Sequence, residues 1–143
     1  MKKIITMLGL VMAMSSSLLA QTINVNGTKT EIETKIIDGR TFVKLRQVSN
    51  LLDCEIVYDT NTKSAIVTKQ EVNEEIKDVK LTYTIGNIDY EYAYNDRIKG
   101  RGMDVAPQMI DGSIYLPIRY VAEPLGYDIS MNENKEIILK KRA

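Results

Sequence analysis

Residues 109–121, MIDGSIYLPIRYV, contain the signals that decide the fold of this chain. An Asp-Gly pair is followed, after one serine, by three apolar residues. Such a pair favours a two-residue hairpin turn, because both of its residues can adopt the positive φ that the turn requires. Pro117 then suits the first position of a helix, where its missing N–H removes no hydrogen bond. Arg119 follows two residues after Pro117, which raises the question whether it marks a site or belongs to a folding unit.

The same pattern occurs 73 residues earlier, in IIDGRTFVKLRQVSNLL at 36–52. Comparison of the chain with itself at this offset, the first step before assigning a fold, shows recurring residues on both sides of the turn. Ile37, Asp38, Gly39, Arg46, Val48, Leu52, Ile56 and Asn61 recur as Ile110, Asp111, Gly112, Arg119, Val121, Leu125, Ile129 and Asn134. The chain is therefore predicted to contain two repeats, at 22–70 and 81–143, joined by a charged connector at 71–80.

Each repeat is predicted to contain, in order, two strands, one helix and two strands. Apolar residues at spacings of three and four place Leu45, Val48 and Leu52 on one helix face. In the second copy Pro124 should end the helix near Glu123, since an interior proline removes a backbone hydrogen bond. One copy alone would bury little apolar surface, so we expect a single pseudo-symmetric α+β domain over 21–143.

Two segments between these elements have weaker patterns. The charged connector, 71–80, is predicted to be either a helical turn or a solvated linker. The segment NDRIKGRGMDVAPQ, 95–108, is predicted to be a long loop, with KGRG at 99–102 flexible and solvated. KGRG lacks the strand–loop–helix setting of a phosphate-binding loop.

The first 20 residues have the layout of a secretory signal peptide. Two lysines precede an apolar run, and small residues lead to Ala20, after which we expect cleavage. The run is too short for a membrane span, and no lipid-attachment cysteine follows it. The mature chain is thus expected to be secreted or attached to the cell surface, or periplasmic if the source has an outer membrane.

Composition excludes several kinds of site. The chain has no histidine, which removes His-ligated metal sites and catalytic systems with a histidine base. We therefore expect no metal and no cofactor. Residues 21–143 carry 17 basic and 19 acidic side chains, and this balance predicts no nucleic-acid partner. Cys54, the single cysteine, excludes an internal disulfide and is expected to be a buried thiol rather than an exposed reactive one.

The second copy, MDVAPQMIDGSIYLPIRYVAEPLGYDI at 103–129 with NKEIIL at 134–139, resembles the repeat of the copper amine oxidase N-terminal domain family, or stalk domain. The first copy is a looser match. The resemblance implies antiparallel sheets wrapped around short helices, in a non-catalytic bacterial extracellular module. Lys44 stands where the second copy has Pro117.

Arg46 and Arg119 are the repeated polar residues that most invite a functional interpretation. A guanidinium can bind a carboxylate with two parallel hydrogen bonds. Because both repeats keep the arginine at the same place, we favour a structural ion pair or hydrogen bond in each half.

Tyr90, Tyr92 and Tyr94 alternate along one predicted strand and point to one side of it. Such a row could stack on sugar rings or on the apolar surface of a partner. It could equally form the inner face of a sheet. The three tyrosines are nevertheless the best binding candidates in the chain.

These observations favour an exported, non-catalytic binding or structural module of the cell envelope. Its partner would be an envelope protein or a cell-wall polysaccharide, and a homodimer formed through exposed sheet edges is a further prediction. The alternative is a small cell-wall polysaccharide hydrolase. It would need two facing carboxylates about 5–9.5 Å apart.

Overall fold

The computed structural model describes residues 18–142, so most of the predicted signal peptide lies outside the described residues. Over this range the chain forms twelve strands and two short helices. In chain order they are β1 (Leu18–Val25), β2 (Thr28–Ile37), β3 (Arg40–Lys44), α1 (Leu45–Leu51), β4 (Glu55–Asp59), β5 (Ser64–Gln70), β6 (Asp78–Thr84), β7 (Asp89–Tyr94), β8 (Arg97–Gly102), β9 (Gln108–Ile110), β10 (Ser113–Leu116), α2 (Arg119–Ala122), β11 (Tyr127–Met131) and β12 (Ile137–Lys141).

The strands form two sheets that share one hydrophobic core. The seven-stranded sheet has the order β11-β12-β1-β2-β3-β10-β9, and the five-stranded sheet has the order β4-β5-β6-β7-β8. Strand pairs are antiparallel throughout except β1 and β12, which run parallel. Helix α1 packs against β3, β4 and β10, so it lies between strands of both sheets. The α+β fold class predicted from the sequence is confirmed.

Both Asp-Gly turns have the predicted backbone. The φ angles are 49° and 79° at Asp38 and Gly39, and 51° and 80° at Asp111 and Gly112. Positive φ at both central residues joins two strands with the right twist, and glycine adopts it without a Cβ clash. Each turn is followed by a strand, a helix and two strands.

The hairpins that end the two predicted repeats lie in different sheets. The β4–β5 hairpin belongs to the five-stranded sheet, whereas the β11–β12 hairpin belongs to the seven-stranded one. Three strand pairs, β1 with β12, β3 with β10 and β5 with β6, join the first half of the chain to the second. Pseudo-symmetry and the division into 22–70 and 81–143 stay predictions, as does the single domain.

The predicted helix faces are buried, and the second helix ends where Pro124 requires. Leu45, Val48 and Leu52 are at most 1% exposed. Helix α2 stops at Ala122, and Gly126 follows with a φ of 92°. Pro124 cannot donate the N–H that Tyr120 O would accept in a continued helix. The buried Tyr83 hydroxyl donates to that oxygen instead, at 2.6 Å.

The prediction of a long loop at 95–108 was wrong, and the connector is not helical. Residues 71–77 are exposed except for Val72, which is buried in the core, and Ile76, which is partly buried. The side chain of Asn95 fixes this segment by accepting from Lys77 N at 2.9 Å and donating to Glu75 O at 2.6 Å. The predicted loop at 95–108 contains the strand β8, which is paired along its whole length with β7.

Within residues 18–142, no helix combines the length and the apolar character needed to cross a membrane.

Candidate functional site

The β7–β8 hairpin brings the tyrosine row next to a row of basic side chains. Asn95 and Asp96, with φ angles of 45° and 68°, form the turn between the two strands. Because directly opposed residues of an antiparallel pair lie on the same face, one face collects three cross-strand pairs. This tyrosine–cation face consists of Tyr90 opposite Arg101, Tyr92 opposite Lys99, and Tyr94 opposite Arg97.

The three tyrosines differ in how much surface they offer. Tyr90 and Tyr92 are only 5% and 7% exposed and belong to the core. Tyr90 stacks on Tyr83 with ring centroids 5.2 Å apart, and Tyr92 stacks on Tyr94 at 5.1 Å. Tyr94 is partly buried at the margin of the core. Sheet packing is thus the better interpretation for Tyr90 and Tyr92, and Tyr94 is the member placed to contact a ligand.

The basic row lies on an exposed edge strand. Every residue of β8 is exposed, and β8 has no neighbour on its outer side in the five-stranded sheet. The guanidinium carbon of Arg101 lies 4.7 Å from the centre of the Tyr92 ring, and Lys99 Nζ lies 5.7 Å from the centre of the Tyr94 ring. These distances are within the range of cation–π attraction.

No carboxylate neutralises this row within the described residues. The five ion pairs found there, none longer than 3.4 Å, do not include Arg97, Lys99 or Arg101. Hydrogen bonds from Lys99 and then Arg97 lower the pKa of Tyr94, whereas burial raises the pKa of Tyr90 and of Tyr92. The face therefore presents three unpaired positive charges beside an aromatic ring.

A groove of about 440 Å³ continues this face toward the C-terminal strand. Its walls include Tyr92, Arg101, Glu123, Lys141 and Arg142. The guanidinium of Arg142 donates to the carbonyl oxygens of Tyr127 (2.9 Å) and Glu123 (3.0 Å) and to the carboxylate of Asp128 (3.0 Å). Arg142 is thus held by the protein, while Arg101 and Lys141 have no such carboxylate partner among residues 18–142.

The two repeated arginines have different surroundings. Arg119 donates to the carboxylate of Glu123, four residues later, at 2.7 Å on the surface. Arg46 makes no side-chain hydrogen bond or ion pair to the described part of the chain and lines a separate cavity. Arg119 thus has an exposed ion pair within its own helical turn, whereas Arg46 has no ion pair among residues 18–142, and the structural role of both arginines stays a prediction.

A third polar contact fixes the segment after β8. The carboxylate of Asp104 accepts from the Tyr120 hydroxyl at 2.5 Å and from the Arg40 guanidinium. The hydrogen bond from Arg40 is the main cause that lowers the pKa of Asp104. Sequence analysis missed this contact because its partners are 16 and 64 residues away from Asp104 along the chain.

Asp104 and Glu136 do not have the character of a general acid. Such a group needs a raised pKa, whereas hydrogen bonds lower the pKa of both Asp104 and Glu136. Over residues 18–142 no cluster of three or more Cys, Asp or Glu side chains could hold a metal ion. Cys54 is buried, as expected, and burial raises the pKa of its thiol to about 11.

Comparison with known proteins identifies the family. The sequence model of the copper amine oxidase N-terminal domain matches residues 22–140, which is most of the chain. No curated protein and no solved structure gives a significant match. In copper amine oxidases this domain is a non-catalytic module. The match covers the first predicted repeat and all but the last three residues of the second, and on this basis the chain belongs to the copper amine oxidase N-terminal domain family.

Proposed function

We propose that this protein is an exported, non-catalytic binding module of the cell envelope and that it binds acidic envelope polymers through the tyrosine–cation face. Membership of a family that is a non-catalytic module in copper amine oxidases supports the absence of catalysis. The signal-peptide layout of residues 1–20 supports export to the cell surface or secretion.

The observation that carries this proposal is the unpaired basic row on β8. Arg97, Lys99 and Arg101 alternate along one strand, so neighbouring charges on the face are about 7 Å apart. A flexible polymer with repeated carboxylates or phosphates can contact several of these charges at once. Arginine binds such groups with paired hydrogen bonds, and the ring of Tyr94 adds a surface on which a sugar can stack.

The test compares two charge-matched triple variants. R97Q/K99Q/R101Q removes the basic row, and K63Q/K135Q/K140Q removes three exposed lysines that have no ion-pair partner among the described residues. Both lower the net charge equally. Retention of each on cell-wall preparations is measured before and after chemical removal of their anionic polymers, at low and high salt.

We expect the first variant to bind roughly three- to hundredfold more weakly, because each exposed charge pair contributes about 0.2–1 kcal/mol. The second variant should bind like the wild type. High salt should weaken wild-type binding, since it screens exposed charges. Equal retention of R97Q/K99Q/R101Q and the wild type would refute the proposal, as would retention that does not depend on the anionic polymers.

Export has a separate test. Cleavage after Ala20 would start the mature chain at Gln21 and remove three residues of β1, which pair with Lys35, Thr34 and Glu33 of β2. The rest of the β1–β2 ladder would remain. Mass spectrometry of the protein recovered from outside the cell should give Gln21 as the first residue, and recovery of the full-length chain in the cytoplasm alone would contradict export.

A further inference from the structure

A second cavity, of about 400 Å³, lies between edge strands of the two sheets. Strand β4 is an edge of the five-stranded sheet, and β9 and β10 end the seven-stranded sheet. The two edges do not pair with each other within residues 18–142, and the cavity has walls from both. We call it the edge cavity, and its walls include Leu45, Arg46, Ile56, Tyr58, Met109 and Ile114.

The walls of the edge cavity are mostly apolar. Leu45 is fully buried and Ile114 is 9% exposed, so both belong to the core. Ile56 and Tyr58 pack against that core from β4, and Met109 is 40% exposed. The volume falls within the range of about 300–1,000 Å³ that is typical of small-molecule sites.

The charge at this cavity is unbalanced. Two basic residues, Lys44 and Arg46, line it on either side of Leu45. Glu33 neutralises Lys44 at 3.2 Å, but no carboxylate within residues 18–142 pairs with Arg46. In the second half of the chain the corresponding Arg119 is neutralised by Glu123. One cation free of carboxylate partners thus lies beside an apolar cavity.

We infer that the edge cavity binds an amphipathic carboxylate, with its apolar body between β4 and the β9–β10 hairpin and its carboxylate on Arg46. The apolar walls favour a hydrocarbon chain because its burial removes apolar surface from water. The guanidinium of Arg46 selects a negatively charged head group, since a charge-assisted hydrogen bond is about twice as strong as a neutral one. This site is separate from the tyrosine–cation face and does not depend on the proposed function.

The test uses decanoate below its micelle-forming concentration, with decanol and decylamine as probes of matched chain length. Calorimetric titration of the purified mature protein should show binding of decanoate, weaker binding of decanol and weaker binding still of decylamine. Amide chemical shifts should change at residues 44–46, 56–58 and 109–114.

Three variants locate the site. R46M keeps an unbranched apolar side chain but removes the guanidinium and its charge, and should lower decanoate affinity roughly ten- to hundredfold while leaving decanol affinity unchanged. M109W fills the cavity and should weaken both ligands. R119M, the matched control at the paired arginine, should bind decanoate like the wild type.

Several results would overturn this inference. They are the absence of decanoate binding to the wild type, equal affinity of R46M and the wild type for decanoate, and equal loss in R119M and R46M. Shift changes confined to other parts of the protein would also contradict it. If M109W fails to fold, the comparison of R46M with R119M and the shift map still decide the question.

Discussion

The bond between Tyr83 and the end of α2 gives the most direct test of how the second helix is stabilised. Pro124 stands four residues after Tyr120 and has no N–H to offer to the Tyr120 carbonyl. The hydroxyl of the fully buried Tyr83 supplies the missing donor at 2.6 Å. Burial raises the pKa of Tyr83, so the hydroxyl keeps its proton across the neutral range.

Tyr83→Phe should leave the Tyr120 carbonyl without this partner at a partly buried position against the core. The loss of free energy of unfolding should be about 1–3 kcal/mol, the desolvation penalty of a buried unpaired polar group. With a typical urea m-value of about 2 kcal/mol/M, the unfolding midpoint should fall by roughly 0.5–1.5 M. Pro124→Ala restores a backbone N–H at the position that can reach Tyr120 O. In the Pro124→Ala background, Tyr83→Phe should therefore cost at least about 1 kcal/mol less.

The assay is urea unfolding of the two single variants, the double variant and the wild type, followed by circular dichroism. Tyr127→Phe is the matched control, because Tyr127 is also buried and its hydroxyl makes no hydrogen bond to the described part of the chain. It should change stability by no more than about 0.5 kcal/mol. A Tyr83→Phe variant as stable as the wild type, or an equal loss with and without Pro124, would refute this account of the helix end.

Three further predictions concern Cys54, Asp104 and Val72. Because the pKa of the Cys54 thiol is about 11, Cys54 should react only slowly with iodoacetamide at pH 8 in the native protein and rapidly in urea. Fast labelling of the native protein would contradict this prediction. The pKa of Asp104 is lower in the folded protein than in the unfolded chain. The ionised carboxylate therefore stabilises the fold at pH values above the unfolded-chain pKa, and this stabilisation is lost as the pH falls below about 4. In Asp104→Asn the melting temperature should thus decrease less steeply with falling pH than in the wild type. Equal pH dependence of the melting temperature in the two proteins would contradict this prediction. Val72→Ala should lower the free energy of unfolding by about 1–3 kcal/mol, whereas Glu74→Ala, on the exposed part of the same segment, should leave it within about 0.5 kcal/mol.

Local signals were enough to predict the turns and helix faces. Asp-Gly at 38–39 and 111–112 forms the expected turns because these two residue types adopt the required positive φ readily. Likewise, Pro124 ends α2 through its own covalent structure. The sequence did not predict the sheet order, since the β1–β12 and β3–β10 pairings join segments that are far apart along the chain.

The basic row was missed for a different reason. Arg97, Lys99 and Arg101 alternate with Ile98, Gly100 and Gly102, which is a strand pattern, but two glycines and a high charge made the segment look like a loop. The near-zero net charge also concealed the local excess of positive charge. Period-two alternation directly after Asn95-Asp96 was the available signal, because both residues tolerate the left-handed turn conformation.

The parallel pairing of β1 with β12 also constrains how the protein folds. Ile23 lies opposite Ile137 and Val25 opposite Leu139, and Asn26 N donates to Leu139 O at 3.0 Å. Contacts between such distant residues require closure of a loop of more than a hundred residues, which is entropically unfavourable and slows folding. A nascent chain that lacks residues 137–141 leaves β1 with a single neighbour. Completion of the seven-stranded sheet therefore waits for β12, because this strand alone joins β11 to β1 and to the rest of the sheet.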